Sequence, residues 1–225
     1  MNESDREIKT VAEQPEELQR IGPDTPDSSD RLTGSFPEDE GQLQYFPVSE
    51  GKLITLYLLS FGLYGVYWFY KNWTLQQPRM SKKIFPLMRA IFSIFFTHSL
   101  FRRINKSAEG LEDKHKFNAN LMATFFVAAV IIGNFIDRIS LGSDVLEVLP
   151  ENTMIILSLI IFLLSAYPLA TVQATVNRIN NDMLGYLNHK YSLWNYLLIV
   201  VGSILWLMVV LGLLAESMGL VPEVQ

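Results

Sequence analysis

The chain has 225 residues, of which 49% are hydrophobic, and it contains no cysteine. The lack of cysteine excludes disulfides, thiolate metal sites and cysteine nucleophiles. The net charge of −5 hides an asymmetry, because residues 1–45 carry twelve acidic and four basic side chains, whereas residues 71–116 carry ten basic and three acidic ones. Such a split indicates an acidic tail and a basic, membrane-facing surface.

Residues 1–45 are predicted to form a disordered acidic tail. This stretch holds four of the ten prolines and few large apolar residues, so it cannot bury enough surface to offset the entropy cost of ordering. The first residues, MNESDREIKT, are charged and include no apolar core. We therefore expect no signal peptide here, and an internal segment must direct the chain to the membrane.

The rest of the chain is predicted to be an all-α membrane domain at 46–216, with a short tail at 217–225. Several apolar runs approach or exceed the ~20 residues needed to cross a bilayer. They predict four transmembrane helices, at about 53–70, 117–136, 153–176 and 194–215. The excess of basic residues between 71 and 116 marks the cytoplasmic side.

The first of these runs has two interpretations. Ser60, Gly62 and Gly65 interrupt it, and glycine weakens a helix by ~1 kcal/mol relative to alanine. The run is either one kinked span, which its length favours, or a helix that ends near Gly62 and is followed by a second, making the segment re-entrant. A span places the N-terminal tail outside, whereas a re-entrant segment places it inside and leaves three spans.

Aromatic side chains crowd the end of this run. Rings with a polar edge prefer the headgroup level of a membrane. The predicted interface anchors are Tyr67, Trp68, Tyr70 and Trp73.

Residues 84–101 are predicted to form an amphipathic helix in the plane of the interface. Basic pairs flank both ends, so a crossing would put one pair on the wrong side of the membrane. Arg89, Ser93 and Thr97 recur every four residues and leave a polar stripe beside a broad apolar face, as interfacial helices do.

The basic residues on or beside this helix are candidates for contacting lipid headgroups. They are Arg89, Arg102, Arg103 and Lys106. Attraction to anionic lipid contributes about 1 kcal/mol per charge. The alternative is ordinary positive-inside anchoring without a specific ligand.

The third span carries two further patterns. Small residues at a spacing of four let helix backbones approach closely, which predicts helix packing at Ala166, Ala170 and Ala174. Carboxamides cluster toward the end of the span, at Gln173, Asn177, Asn180 and Asn181. They either line a polar site for a headgroup or solute, or cap the end of the helix.

The sequence contains no P-loop, G-x-S-x-G elbow or H-E-x-x-H motif, and its three histidines lack the spacing of metal ligands. We therefore predict no catalytic residue, no metal and no cofactor, while leaving open whether the protein is an enzyme. The basic residues flank membrane segments and offer no soluble basic face, so we expect no binding of nucleic acid.

The stretch FPVSEGKLITLYLLSFGLYGVYWFYKNW, at 46–73, combines a leucine-rich run, a G-x-Y step and a W-x-Y-K collar. With the later runs at 88–92, 176–180 and 194–195, it resembles a group of small, uncharacterised bacterial membrane proteins, a family of unknown function. The resemblance covers about residues 46–212 and implies a bacterial inner membrane. The group has no assigned activity.

Three functions stay open. The preferred one is a non-enzymatic membrane component that organises lipids, a protein partner or further copies of itself. A small oligomeric transporter or channel is suggested by Gly62, Pro168 and the asparagine group, because broken helices line solute sites. A lipid-modifying enzyme is supported only by Asp182 and His189 near the inner surface.

Overall fold

The computed structural model describes residues 43–111, 117–140 and 152–218. Within these ranges the chain is helical and contains no strand, so the predicted all-α class is confirmed. The α-helices are α1 (Glu50–Leu59), α2 (Leu63–Gln76), α3 (Pro86–Ile91), α4 (Ser93–Ser107), α5 (Ala119–Ser140), α6 (Asn152–Ile179) and α7 (Leu193–Ser217). Short 3-10 turns lie at Gln77–Arg79 and Tyr186–Asn188. Residues 1–42 of the predicted tail lie outside the described residues. Residues 43–45 are described, and Tyr45 is fully buried in the helical domain.

In the described part of the chain, three stretches are long and apolar enough to cross a membrane, and they lie in α5, α6 and α7. They are Ala119–Ile139, Thr153–Ile179 and Leu193–Ser217. The protein is therefore a membrane protein with three candidate spans in the described ranges, at the places where the last three spans were predicted. The preferred interpretation of residues 53–70 as a fourth span is wrong, because the structure has the alternative, a helix that ends before Gly62 and is followed by a second helix.

The break in residues 53–70 is a helix terminus built from hydrogen bonds. The Gly62 N–H donates to the Tyr57 carbonyl at 2.9 Å, and the Phe61 N–H donates to the Leu58 carbonyl at 3.2 Å. This pair of bonds is the Schellman motif, which ends a helix with a residue in the left-handed region. Phe61 (φ 50°) occupies that position, and Gly62 (φ 87°), where a side chain would be strained, follows it.

Together α1, the turn at 60–62 and α2 form a re-entrant hairpin. At ~1.5 Å per residue the two arms are about 15 Å and 21 Å long, too short to cross a ~30 Å hydrocarbon core. The tip contacts the middle of α6, where the Tyr57 and Ser165 hydroxyls lie 2.6 Å apart. At the far ends of the arms, Lys52 of α1 donates to the Lys190 carbonyl in the connection after α6, and Gln76 of α2 is linked to Asn180 at the end of α6 through Gln44, which bonds to both. The chain therefore enters and leaves on one side, which we call the basic side.

Helix α7 covers the end of α1 at mid-membrane depth. The Trp206 Nε1–H donates to the Leu58 carbonyl at 3.0 Å, and the Trp206 ring stacks on Phe61 with ring centroids 5.1 Å apart. Within the hydrocarbon region no water is present to bond the last carbonyls of a helix, so a partner must come from the protein. Trp206 adds a second donor to the Leu58 carbonyl, which also accepts from the Phe61 N–H, and so stabilises the helix end.

The predicted interfacial helix at 84–101 is two helices in the structure. Helices α3 and α4 meet at Phe92, and α4 continues to Ser107. Helix α3 packs on α2, and α4 packs on α5. The polar stripe faces the protein at two positions, since Thr97 is buried and Arg89 is half-buried. The exposed apolar side chains lie between Phe85 and Phe95, whereas Leu100, Phe101 and Ile104 of α4 are buried.

The alanine stripe of α6 is unevenly covered. Ala166 is buried, whereas Ala170 and Ala174 are half-buried. Helix α6 forms its most extensive pair with α5 and also packs on α1. The role of the three alanines in helix association stays a prediction.

The hairpin can be distinguished from a span by labelling, because the chain has no native cysteine. Single cysteines at Glu50 and Thr74, both exposed, lie at the two far ends of the arms. We expect a membrane-impermeant maleimide to reach both from the same side, and to reach a cysteine at Ser217 only from the opposite side. Labelling of positions 50 and 74 from opposite sides would show that residues 53–70 cross the membrane as a fourth span.

The seat of α7 on α1 is tested by two glycine substitutions. A Cβ on Gly202 would lie 2.1 Å from the Leu59 carbonyl oxygen, whereas one on Gly212 meets nothing within 4 Å. We expect G202A to lower the thermal unfolding midpoint in detergent, because a backbone atom has to move. The control G212A should leave it unchanged or raise it, since alanine favours a helix by ~1 kcal/mol over glycine. Equal effects would mean that α7 does not pack there.

Candidate functional site

An extended segment at 44–48 is buried against α2 and α6, and carboxamide side chains hold its backbone. We call these side chains the amide cradle. Its members are Asn72 and Gln76 of α2, Gln173 and Asn177 of α6, Asn180 directly after α6, and Asn188 of the following 3-10 turn. The amide cradle thus connects α2, the end of α6 and the following 3-10 turn to the extended segment at 44–48.

The hydrogen bonds of the cradle follow the segment residue by residue. Asn180 Nδ2 donates to the Tyr45 carbonyl at 2.9 Å, and Asn177 Nδ2 donates to the Val48 carbonyl at 3.0 Å. At Phe46 the backbone N–H donates to Asn72 Oδ1 at 3.1 Å and the carbonyl accepts from Gln173 Nε2 at 3.2 Å. An extended segment has no helical partners, and buried backbone groups need one; the cradle supplies them without burying a charge.

Gln173 lies at the centre of the cradle and uses both ends of its amide. Its Oε1 accepts from Trp68 Nε1 at 2.6 Å, and its Nε2 also donates to Asn177 Oδ1 at 2.7 Å. Gln173, Trp68 and Asn177 are all fully buried. In such a network each hydrogen bond fixes the orientation of the next side chain, so the loss of one member weakens the hydrogen bonds of the others.

The structure brings together three of the four carboxamides that the sequence analysis grouped. Gln173, Asn177 and Asn180 bind the protein's own backbone, which neither of the two interpretations had foreseen. Asn181 is exposed and stands outside the cradle, because it is the left-handed residue (φ 57°) of the Schellman motif that ends α6. The missed partners, Asn72 and Gln76, lie about a hundred residues away in sequence and carry no signal of that pairing.

A buried lysine locks the start of α1 to the connection between α6 and α7. Lys52 is only 4% exposed, and its Nζ donates to Asn188 Oδ1 at 2.6 Å and to the Lys190 carbonyl at 2.7 Å. Burial lowers the pKa of Lys52 because it disfavours the charged form. Asn188 is shared by Lys52 and the cradle, since its Nδ2 donates to the Pro47 carbonyl at 3.0 Å.

Arg89 does not extend to the headgroups as predicted. Its guanidinium lies 4.5 Å from the Trp73 ring centroid and 5.0 Å from that of Phe96. Burial and the nearby charge of Arg103 lower the pKa of Arg89. A guanidinium over two ring faces is stabilised by cation–π attraction, so Arg89 joins α2, α3 and α4.

The other basic residues of the group lie nearer the surface. Arg102 and Lys106 are exposed on α4 and border a cleft of about 410 Å³ with Asn105, Asn118 and Asn120. Arg103 is half-buried, and its Nη1 donates to Gln76 Oε1 at 3.5 Å. Arg102 and Lys106 are therefore the cations most available to a ligand from outside.

An apolar surface lies on the same two helices. Phe85 and Phe95 are each 77% exposed, and four more large apolar residues are about half-exposed: Leu87, Met88, Ile91 and Phe92. A patch of this size marks an interaction surface or a membrane-facing one. In a membrane protein, lipid is the simplest partner to cover this exposed apolar surface.

The four predicted interface anchors separate into two pairs. Tyr67 and Tyr70 are exposed and stay candidates for the headgroup level. Trp68 and Trp73 are fully buried, so they pack in the core of the protein and do not anchor it to lipid. The pairs differ because successive turns of α2 point Trp68 and Trp73 toward α4, α6 and Arg89.

Asp182 and His189, the weak candidates for chemistry, are part of the α6–α7 connection. Both carboxylate oxygens of Asp182 accept backbone N–H groups, from Tyr186 at 2.7 Å and Leu187 at 3.0 Å. His189 Nδ1 lies 2.6 Å from the Tyr186 carbonyl oxygen. These bonds shape the 3-10 turn. No cluster of three metal-ligating side chains occurs in the described ranges.

Comparison with known proteins finds no matching family model, curated protein or solved structure. The resemblance to the uncharacterised bacterial group therefore stays a prediction.

The cradle predicts unequal effects of two asparagine substitutions. N177A leaves the buried Val48 carbonyl without its donor, and an unsatisfied buried group costs ~1–3 kcal/mol. We expect a lower thermal unfolding midpoint in detergent and faster proteolysis near residues 44–48. N120A, at an exposed position of α5, is the control and should change neither. Equal midpoints for the two variants would contradict the structural role of the cradle.

Proposed function

We propose that the protein is a non-enzymatic component of the bacterial inner membrane that organises anionic lipids on its basic, cytoplasmic side. The cytoplasmic assignment is supported by the positive-inside rule, since Lys71, Arg79, Arg102 and Lys106 lie at that end of the helical domain. The re-entrant hairpin adds two helical arms there beside the three spans. The protein is therefore widest in this leaflet.

The observation that carries the proposal is the exposed apolar surface of α3 and α4 beside two exposed cations. Phe85 and Phe95 project outward, and Arg102 and Lys106 follow on the same chain toward the end of α4. Apolar side chains next to basic ones match the acyl chains and headgroups of anionic lipid. The cleft of about 410 Å³ beside Arg102 and Lys106 provides room for a headgroup.

Transport is less well supported by the same contacts. The carboxamides on which a solute site would depend hydrogen-bond to the backbone of residues 45–48. Opening such a site would expose several buried backbone groups at once, each costing ~1–3 kcal/mol. The cradle thus behaves as a structural element.

The proposal is tested with the full chain and native mass spectrometry. Substituting Arg102 and Lys106 by glutamine removes two charges of about 1 kcal/mol each, which corresponds to ~30-fold weaker binding of phosphatidylglycerol. The loss should shrink at high salt, because the screening length falls from ~10 Å at 0.1 M to ~3 Å at 1 M.

The control is R138Q, which removes one exposed charge near the far end of α5. It should leave the binding of phosphatidylglycerol within about twofold of wild type, because Arg138 does not line the cleft and lies more than a screening length of ~10 Å from it. Unchanged binding in the double variant, or an equal loss in R138Q, would rule out a specific basic site on α4.

A further inference from the structure

A groove runs between the hairpin tip, α5 and α6, away from the amide cradle and from Arg102 and Lys106. Its volume is about 520 Å³, which lies within the ~300–1,000 Å³ of small-molecule sites. Its walls combine small residues with apolar ones. The small residues are Gly62, Gly65, Ala129 and Gly133, and among the apolar ones are Val66 and Phe162.

The groove extends along one half of α5. Its lining residues on that helix run from Phe126 to Asp137, and twelve residues of α-helix measure about 18 Å. This length is a little more than half of the ~30 Å hydrocarbon core, so it exceeds one leaflet by a few ångströms. The end at Asp137 is the one remote from the basic side, because α5 begins on the basic side at Ala119.

The groove exists because the hairpin stops at mid-membrane. Beyond its tip only α5, α6 and α7 continue, and α7 packs more extensively on α1 than on α6. Phe61 and Gly62 at the tip line the groove, and its wall continues along α2 to Phe69 and to Ser93 at the start of α4. An apolar space at this depth is reached through the lipid, so its occupant must be soluble in the bilayer.

The mouth of the groove is polar. Asp137 and Ser158 line it, and the Ser158 hydroxyl donates to Asp137 Oδ1 at 2.5 Å. Asn134, one turn earlier on α5, is a third lining residue. An exposed carboxylate at the end of an apolar groove attracts a group that carries N–H donors and positive charge.

We propose that the groove binds one acyl chain of a lipid from the leaflet opposite the basic side, and that the primary ammonium of that lipid donates to Asp137. The length of the groove exceeds one leaflet by only a few ångströms, its walls match a hydrocarbon chain, and its mouth matches a headgroup with N–H donors. This site is separate from the anionic-lipid surface of α3 and α4 and does not depend on it.

The test measures binding of the first lipid to the full chain by native mass spectrometry. Phosphatidylethanolamine should bind at least about tenfold more tightly than phosphatidylcholine, whose quaternary ammonium has no N–H, because a hydrogen bond to a charged group contributes that much. In D137N the two lipids should bind equally, while binding of phosphatidylglycerol stays unchanged. Equal affinities for the two lipids in the wild-type chain would overturn the headgroup assignment.

Two variants fill the groove, A129F and G133L, and I132F is the matched control on the lipid-exposed face of α5. A Cβ on Gly133 meets only Ile161 Cγ2, at 3.8 Å, so this position tolerates a side chain. We expect both lipids to bind at least about tenfold more weakly in either groove variant and normally in I132F. Binding that survives both variants would show that the lipid lies elsewhere.

Free phosphoethanolamine, which has the headgroup but no chains, separates a lipid site from a site for a soluble amine. It should not displace the lipid. Displacement at comparable concentration would overturn the acyl-chain assignment.

Discussion

The structure depends on satisfying backbone hydrogen bonds where the chain is not helical. Two such places are the extended segment at 44–48, which is buried from Tyr45 to Val48, and the end of α1 at 58–62, which is partly buried. Side chains supply the partners in both, through the carboxamides of the cradle and through the Trp206 Nε1–H. A buried polar group without a partner costs more than an ordinary hydrogen bond contributes, so these contacts decide which arrangement of the helices is possible.

The cradle also sets the topology. Asn72 and Gln76 hold the end of α2 to the segment that precedes α1, and Lys52 holds the start of α1 to the α6–α7 connection. The two arms of the hairpin are thereby fixed at one side. With the arms fixed there, the tip reaches only the middle of α6 and α7. Residue 43 and the basic region at 71–106 therefore lie on the same side of the membrane.

The sequence was sufficient for the three spans, because each is an apolar run whose length alone implies a crossing. For residues 53–70 it left two alternatives: Ser60 and Gly62 indicated the break, but the two short helices have the combined length of one span, and that length favoured the wrong alternative. The sequence also shows no sign of the break between α3 and α4 at Phe92, because neither glycine nor proline lies beside it. Spacing grouped Gln173, Asn177 and Asn180 correctly, but their ligand is a backbone segment more than a hundred residues away. The charge of Arg89 predicted a contact with lipid headgroups, whereas in the structure its guanidinium lies over the rings of Trp73 and Phe96.

The two halves of the membrane domain are built differently for a physical reason. On the basic side the hairpin, α3 and α4 surround the spans, and the core is aromatic, with Trp68, Phe69 and Phe101 in mutual contact. On the other side the spans continue without these helices, and small residues on α5 and at the hairpin tip leave space between them. Close packing strongly disfavours empty volume inside a protein. In water, collapse of the helices would fill such a space, whereas in a bilayer an acyl chain can fill it, and that is the occupant we propose for the groove.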